Sequence, residues 1–320
     1  MLSIAGMPLA RFLALLSMIF VIAACGDSNS GPRIVVIPKG TTHVFWQAVN
    51  AGAQDAGKQA GIEVVFKGPL QENDRSGQKQ IMQQFIGEGV AGIALAPLDH
   101  KALVPEVARA KAQGIPVVIF DSALEGVAGE DFDSFVATDN GKSGELAGVE
   151  MARLLGNKGK VVVLRYQVGS ASTTAREDGF LKAARANGLE ILVDNRHAGA
   201  STGEAKTAAL NMADDLKSAD GVFCPCEPVT NGMMLALDQL GLSGQLKFVG
   251  FDVTQPLSDG MRDGKIDALV VQNPRRMGEL AVEHLQQILD GKAVAKQVDT
   301  GCVLATKANM DDPKIAALLK

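Results

Sequence analysis

Six polar side chains stand at or shortly beyond the ends of short apolar runs: Lys39, Asp121, Arg176, Glu227, Asp252 and Gln272. Two aspartates, an arginine and a glutamine among them make a set that pairs hydroxyl groups. Each hydroxyl of a polyol both donates and accepts a hydrogen bond. A carboxylate accepts from two of them, and a guanidinium fork donates to neighbouring oxygens. Phe45 and Trp46 follow Lys39 closely, and an aromatic face covers the C–H side of a sugar ring and excludes water. Such a site binds without a nucleophile, a metal or a cofactor. The acids also suit helix N-caps, where they satisfy free backbone N–H groups. Arg176 also suits a solvated pair with Glu177 or Asp178. Phe45 and Trp46 are adjacent, so a regular helix points them ~100° apart, one to the cleft and one to the core.

Patterns for catalysis or metal binding are incomplete. The four histidines, His43, His100, His197 and His284, are scattered without ligand spacing. Residues 168–172 (VGSAS) lack the spacing of a hydrolase elbow. Gly141-Lys142-Ser143 opens a helix as a P-loop does, but Val136 stands where the first glycine belongs. Cys224-Pro225-Cys226 is not a C-x-x-C pair. Cys302 is a candidate partner for either thiol in an oxidising compartment. An enzyme acting on sugars would need an acid–base pair or a nucleophile. The run ends offer carboxylates but no organised His or Cys dyad.

The elements that position these residues alternate regularly. Apolar, β-branched runs at 33–38, 62–66, 92–96 and 116–120 are separated by helical spacings at 45–60, 75–87 and 103–113. A second set, at 160–164, 190–194, 221–224, 246–250 and 268–272, alternates with helices at 142–155, 174–187, 203–217, 229–240 and 255–263. Continuous rather than alternating runs mark parallel strands buried on both faces. Strand–helix alternation implies right-handed βαβ units. Two sets predict two doubly wound lobes; the alternative is one eight-stranded barrel of ~250 residues. The stretch 135–140 (FVATDN) interrupts the alternation as a crossing strand would, which favours two lobes. A last helix at 275–290 and the run 297–304 suggest a return to the first lobe. In open sheets of this kind ligands bind beyond the carboxyl ends of the strands, where the polar set lies.

The chain has 320 residues, 47% hydrophobic and 21% charged, with a net charge of −5. This is globular composition and excludes collagen-like or disordered chains. Without a Lys/Arg-rich run, nucleic acid is not an expected partner. Four cysteines are too few for a disulfide scaffold. Arg11 precedes an apolar run, 12–24, shorter than the ~20 residues of a comfortable membrane span. It reads as a secretory signal; an ordinary signal or a membrane anchor is the alternative. The run ends in Ile22-Ala23-Ala24-Cys25, which resembles the bacterial lipoprotein signal. That resemblance implies cleavage of residues 1–24, acylation of Cys25, and anchoring at a bacterial membrane on its periplasmic side. Residues 25–32 then form a polar tether.

Taken in order, FWQAVNAGA (45–53), VIFD (118–121), ATDN (137–140), TAREDGF (174–180) and FVGFD (248–252) carry a resemblance. From residue 33 to the end the chain is similar to the periplasmic sugar-binding proteins of ABC transporters, ribose/galactose-binding type. These are type I periplasmic binding proteins with a LacI-like fold. The resemblance implies ligand contacts at Phe45, Trp46, Asp121, Arg176, Phe251, Asp252 and Gln272. It also marks departures. His43 and Cys226 stand where a ribose binder has Asn, and Ser122 stands where an Arg would donate. The expected ligand is therefore a monosaccharide or polyol, with ribose itself in doubt, because a site built to pair hydroxyls rejects mismatched ligands. Three crossings are implied, near Thr138-Asp139, Gln272-Asn273 and Asp299-Thr300. The lobes would be 33–138 with 274–299, and 139–273 with 300–320. Hinge closure and delivery to ABC permease subunits by a monomer follow; the alternative is presentation of ligand to a membrane receptor or kinase.

Overall fold

The structure is a computed structural model describing residues 31–319; Cys25 and the apolar stretch before it lie outside the described residues. The first half runs β1 (Arg33–Ile37), α1 (Val44–Ala60), β2 (Glu63–Phe66), α2 (Arg75–Glu88), β3 (Gly92–Leu95), α3 (Val104–Ala112), β4 (Val117–Phe120) and β5 (Ser134–Ala137). The chain continues through α4 (Asn140–Leu155), β6 (Lys160–Arg165), α5 (Ala171–Ala186), β7 (Glu190–His197), α6 (Thr202–Leu210), α7 (Ala213–Lys217) and β8 (Gly221–Phe223). It finishes with α8 (Glu227–Leu240), β9 (Lys247–Phe251), α9 (Gln255–Arg262), β10 (Ala268–Gln272), α10 (Pro274–Leu289), β11 (Gln297–Asp299), β12 (Cys302–Thr306) and α11 (Pro313–Ala316).

The strands form two six-stranded sheets, β11-β5-β4-β3-β1-β2 and β12-β10-β9-β8-β6-β7. Each sheet has helices on both faces, which is why its strands are apolar on both sides. In the first lobe Val35, Ile37, Ile93 and Ile119 pack beneath α2 and α3. Their sequence neighbours Ile34, Val36, Ala94 and Val118 pack beneath α1 and α10. The second lobe repeats this, with α6 to α9 on one face and α4 and α5 on the other. This is the two-lobed α/β architecture expected from the alternation, and not a barrel.

Three details differ from expectation. β12 pairs antiparallel with β10, so the second sheet is mixed. The run 297–304 divides: β11 joins the first sheet beside β5, and β12 joins the second, with Gly301 at φ 72° in the turn between. The helix expected at 203–217 breaks into α6 and α7 around Asn211. The break lets Met212 and Leu216 both reach the core of the second lobe.

The chain passes between sheets three times: after β5, after β10, and between β11 and β12. Close helix pairs brace each lobe. A Cβ on Gly52 of α1 would lie 2.0 Å from the Arg275 carbonyl oxygen on α10. A Cβ on Gly144 of α4 would lie 2.0 Å from the Arg176 carbonyl oxygen on α5. The second contact fixes the helical turn that carries Arg176. Among the described residues no helix is long and apolar enough to cross a membrane.

Candidate functional site

The carboxyl ends of both sheets face one pocket with an empty volume of about 350 Å³. The first lobe supplies Lys39 beyond β1, Asp121 beyond β4, His43, Phe45 and Trp46 at the start of α1, and Glu72 from the loop after β2. The second supplies Tyr166, Ser172, Thr173, Arg176, Cys226, Glu227, Asp252 and Gln272.

Two aspartates occupy equivalent places. Asp121 (φ 59°) and Asp252 (φ 65°) both end a strand in the left-handed region, which Asp tolerates better than most residues. Backbone bonds hold the turns: Asp121 N–H donates to Val136 O, and Asp252 N–H to Val270 O. Lys39 Nζ lies 2.9 Å from Asp121 Oδ2 and donates to Ser172 Oγ of the other lobe at 2.8 Å. Asp252 accepts from Gln272 Nε2 at 2.7 Å and from the Glu227 backbone N–H at 2.9 Å. Arg176 donates to Asn140 Oδ1 and the Pro225 carbonyl, and lies 4.0 Å from Asp252. Arg176 Nη2 and Gln272 Oε1 are buried without a partner among the described residues. One is a donor and the other an acceptor.

Glu72 organises the opposite wall. Its Oε1 accepts from Trp46 Nε1 at 2.7 Å and pairs with His43 Nδ1 at 2.8 Å. Its Oε2 accepts from Tyr166 O–H of the second lobe at 3.0 Å. Burial alone would raise the Glu72 carboxyl. His43, the charge of Lys39 and the Trp46 N–H outweigh it and hold the group down to about 2. Burial opposes a charge on His43, yet Glu72, then Glu227 and Asp252, raise it. Glu227, whose Oε2 accepts from the Phe45 backbone N–H at 3.2 Å across the lobes, behaves oppositely. Burial, together with Asp252 and Glu72, pushes it up to about 7 against the pull of His43 and that N–H. Asp252 is also raised by burial, against Arg176 and Gln272.

Ten of the residues singled out from the sequence line this pocket: Lys39, His43, Phe45, Trp46, Asp121, Arg176, Cys226, Glu227, Asp252 and Gln272. The structure does not bring Phe251 to the wall. Its ring is fully buried beneath the Arg176 guanidinium, 4.2 Å from centroid to Cζ, where it supports the charge from below. Phe45 and Trp46 both line the pocket, edge to face at 4.9 Å, although Trp46 is also core. Ser122 reaches the interlobe contact, accepting from the Ser172 N–H at 3.2 Å. Cys224, Cys226 and Cys302 are all unpaired. Sequence reading missed Glu72 and Tyr166. Glu72 sits in a polar loop several residues beyond its strand, with no apolar run against it. Tyr166 is the only tyrosine and stands just past a strand run, a signal that was available.

A family model described as periplasmic binding protein domain matches residues 34–293. The ribose import binding protein RbsB of Bacillus subtilis (strain 168) is 28% identical over 302 residues, covering 90% of this chain and 96% of that protein. A solute-binding protein of an ABC transporter from Agrobacterium vitis, solved with bound D-fucose, is 36% identical with a TM-score of 0.86, covering 90% of this chain and all of that one. A carbohydrate transporter solute-binding protein from Agrobacterium radiobacter, in complex with D-arabinose, is 32% identical with a TM-score of 0.86, covering 92% of this chain. With two lobes of mostly parallel strands and a polar pocket between their strand ends, the chain belongs to the periplasmic binding protein family.

Proposed function

We propose that this protein captures a monosaccharide or polyol between its lobes and delivers it to the permease of an ABC importer. The observation that carries this reading is the pocket itself. Donors and acceptors from both lobes, Lys39 and Asp121 on one side and Arg176, Asp252 and Gln272 on the other, surround a space walled by Phe45 and Trp46. A ligand that touches both lobes binds the closed form better than the open one, so it drives closure. The moving bodies are 33–138 with 274–299, and 139–273 with 300–320, each crossing serving as part of the hinge. The ribose, D-fucose and D-arabinose named with the relatives are the first candidates. The site binds its ligand and leaves it unchanged. Cys25 carries the lipid that holds the mature chain, as a monomer, at the periplasmic side of the membrane.

The test is a thermal-shift screen with pentoses, hexoses, deoxyhexoses and polyols. A ligand that binds only the folded protein raises its unfolding temperature with concentration. One sugar class is expected to do so, and a flat response across all four would overturn the reading. Metabolic labelling with palmitate, lost in Cys25→Ser, tests the anchor.

A further inference from the structure

One stretch of the pocket wall gives a hydroxyl little to pair with. Cys226, Glu227 and Pro228, where α8 begins, all line the pocket. A helix start ordinarily presents free backbone N–H groups. Here they are occupied or missing. The Glu227 N–H donates to Asp252 Oδ2 at 2.9 Å, Pro228 has none, and Val229 is fully buried and does not reach the lining. The Thr230 N–H donates to the Cys226 carbonyl at 2.9 Å. The Glu227 carboxyl is engaged by the Phe45 N–H across the lobes. Cys226 holds the N-cap position, yet its side chain makes no capping hydrogen bond, and Asp252 caps the first turn instead. Burial, then Asp252 and Glu72, push the thiol well above its ordinary value, so it stays an uncharged S–H. A thiol donates and accepts only weakly and packs as a small apolar group. Elsewhere the wall has the opposite character. Arg176 Nη2 and Gln272 Oε1 are buried, line the same pocket and have no partner among the described residues.

We infer that Cys226 and Pro228 are specificity-determining residues that select a deoxysugar, a monosaccharide with hydrogen on a carbon where its parent carries a hydroxyl. That carbon lies against the thiol and the proline ring, and the remaining hydroxyls meet Arg176, Gln272 and the two aspartates. A hydroxyl buried against Cys226 and Pro228 gives up its bonds to water and gains no equivalent in return. A bare C–H there gives up none and covers apolar surface. For a single added hydroxyl, an apolar wall discriminates by about ten- to a hundredfold. This inference rests on the sugar-binding reading and narrows it to one class of sugar.

The experiment is titration calorimetry with sugars paired to differ by one hydroxyl: D-fucose with D-galactose, L-rhamnose with L-mannose, and 2-deoxy-D-ribose with D-ribose. In wild type the deoxysugar of at least one pair is expected to bind about tenfold or more tighter than its partner. Two variants restore hydrogen-bonding capacity at the same place. Cys226→Ser puts a hydroxyl where the thiol was, and Pro228→Ala returns a backbone N–H to the first turn of α8. Each is expected to cut the preference within that pair about fivefold, the worth of one ordinary hydrogen bond. The ratio within a pair is read on folded protein, so a change in stability does not imitate it. A hydroxylated sugar that binds as tightly as its deoxy partner, or tighter, in every pair would overturn the inference and leave the sugar-binding reading standing. An unchanged ratio in both variants would overturn the roles of Cys226 and Pro228. Binding of no sugar from any class would overturn both readings together.

Discussion

Lys39, Asp121, Arg176 and Asp252 are charged and almost wholly enclosed, which is costly unless each has a partner. Lys39 pairs with Asp121 and also reaches Ser172 of the other lobe, while Arg176 and Asp252 find their partners within the second lobe. Asp121→Ala, Arg176→Ala and Asp252→Ala are each expected to weaken sugar binding by ~1.5–3 kcal/mol, the range for hydrogen bonds to charged groups, measured by titration calorimetry. Protonation gives a second residue-level outcome. Glu227, raised to about 7, and Glu177, raised by burial to about 6, bind protons more tightly folded than unfolded. Both therefore cost stability as pH climbs from the unfolded carboxyl range through those values. His43, also raised, adds stability below its unfolded value near 6.5 and loses it as pH rises through its folded value. Glu72, held at about 2, adds stability above its unfolded value near 4.5 and loses it as pH falls toward 2. The unfolding temperature should therefore peak near pH 4.5, where Glu72 is ionised in the folded protein, and decline as pH rises to about 7. Glu227→Gln should flatten that decline in scanning calorimetry; an unchanged slope would count against the burial effect. The strand-end acids and Gln272 were legible because each follows or closes an apolar run; Arg176 lies within α5 and was carried by the stretch TAREDGF. Phe251 lies off the wall because it is the last residue of β9 and its ring packs in the core, while the chain turns into the left-handed region at Asp252 and carries that side chain to the pocket.

At the scale of elements, helix contact depends on missing side chains. Gly144→Ala would set a methyl against the Arg176 carbonyl, which is backbone and cannot turn aside. A loss of ~1–3 kcal/mol is expected from denaturant unfolding, together with weaker sugar binding, because the same turn bears Arg176. Gly87→Ala in α2 is the matched control: nothing lies within 4 Å of that position, and a helix prefers Ala by ~0.5–1 kcal/mol. Equal effects from the two substitutions would contradict the close-approach account. Strands and helices were readable because continuous apolar runs and helical spacings differ so sharply. The antiparallel direction of β12 was not, since its largely half-buried residues reflect an edge position that only the assembled sheet defines.

At the scale of the molecule, the single tryptophan reports on the cleft. Trp46 contacts Phe45 and Phe120 by their edges and is held by Glu72, which the second lobe also touches. Addition of the cognate sugar should change Trp46 emission, followed by steady-state fluorescence. Binding by calorimetry with no change in emission would make Trp46 core alone. The two-lobe plan was legible because it repeats. The interlobe bonds were not, since they join residues as far apart in sequence as Phe45 and Glu227.

Each sheet takes its last strand from the end of the chain: β11 completes the edge of the first and β12 that of the second, only two residues apart. Neither half can therefore finish folding while the polypeptide is still emerging. A molecule truncated before residue 297 would carry two incomplete sheets rather than one sound half, and the pair of sheets stays unfinished until β12 has been made.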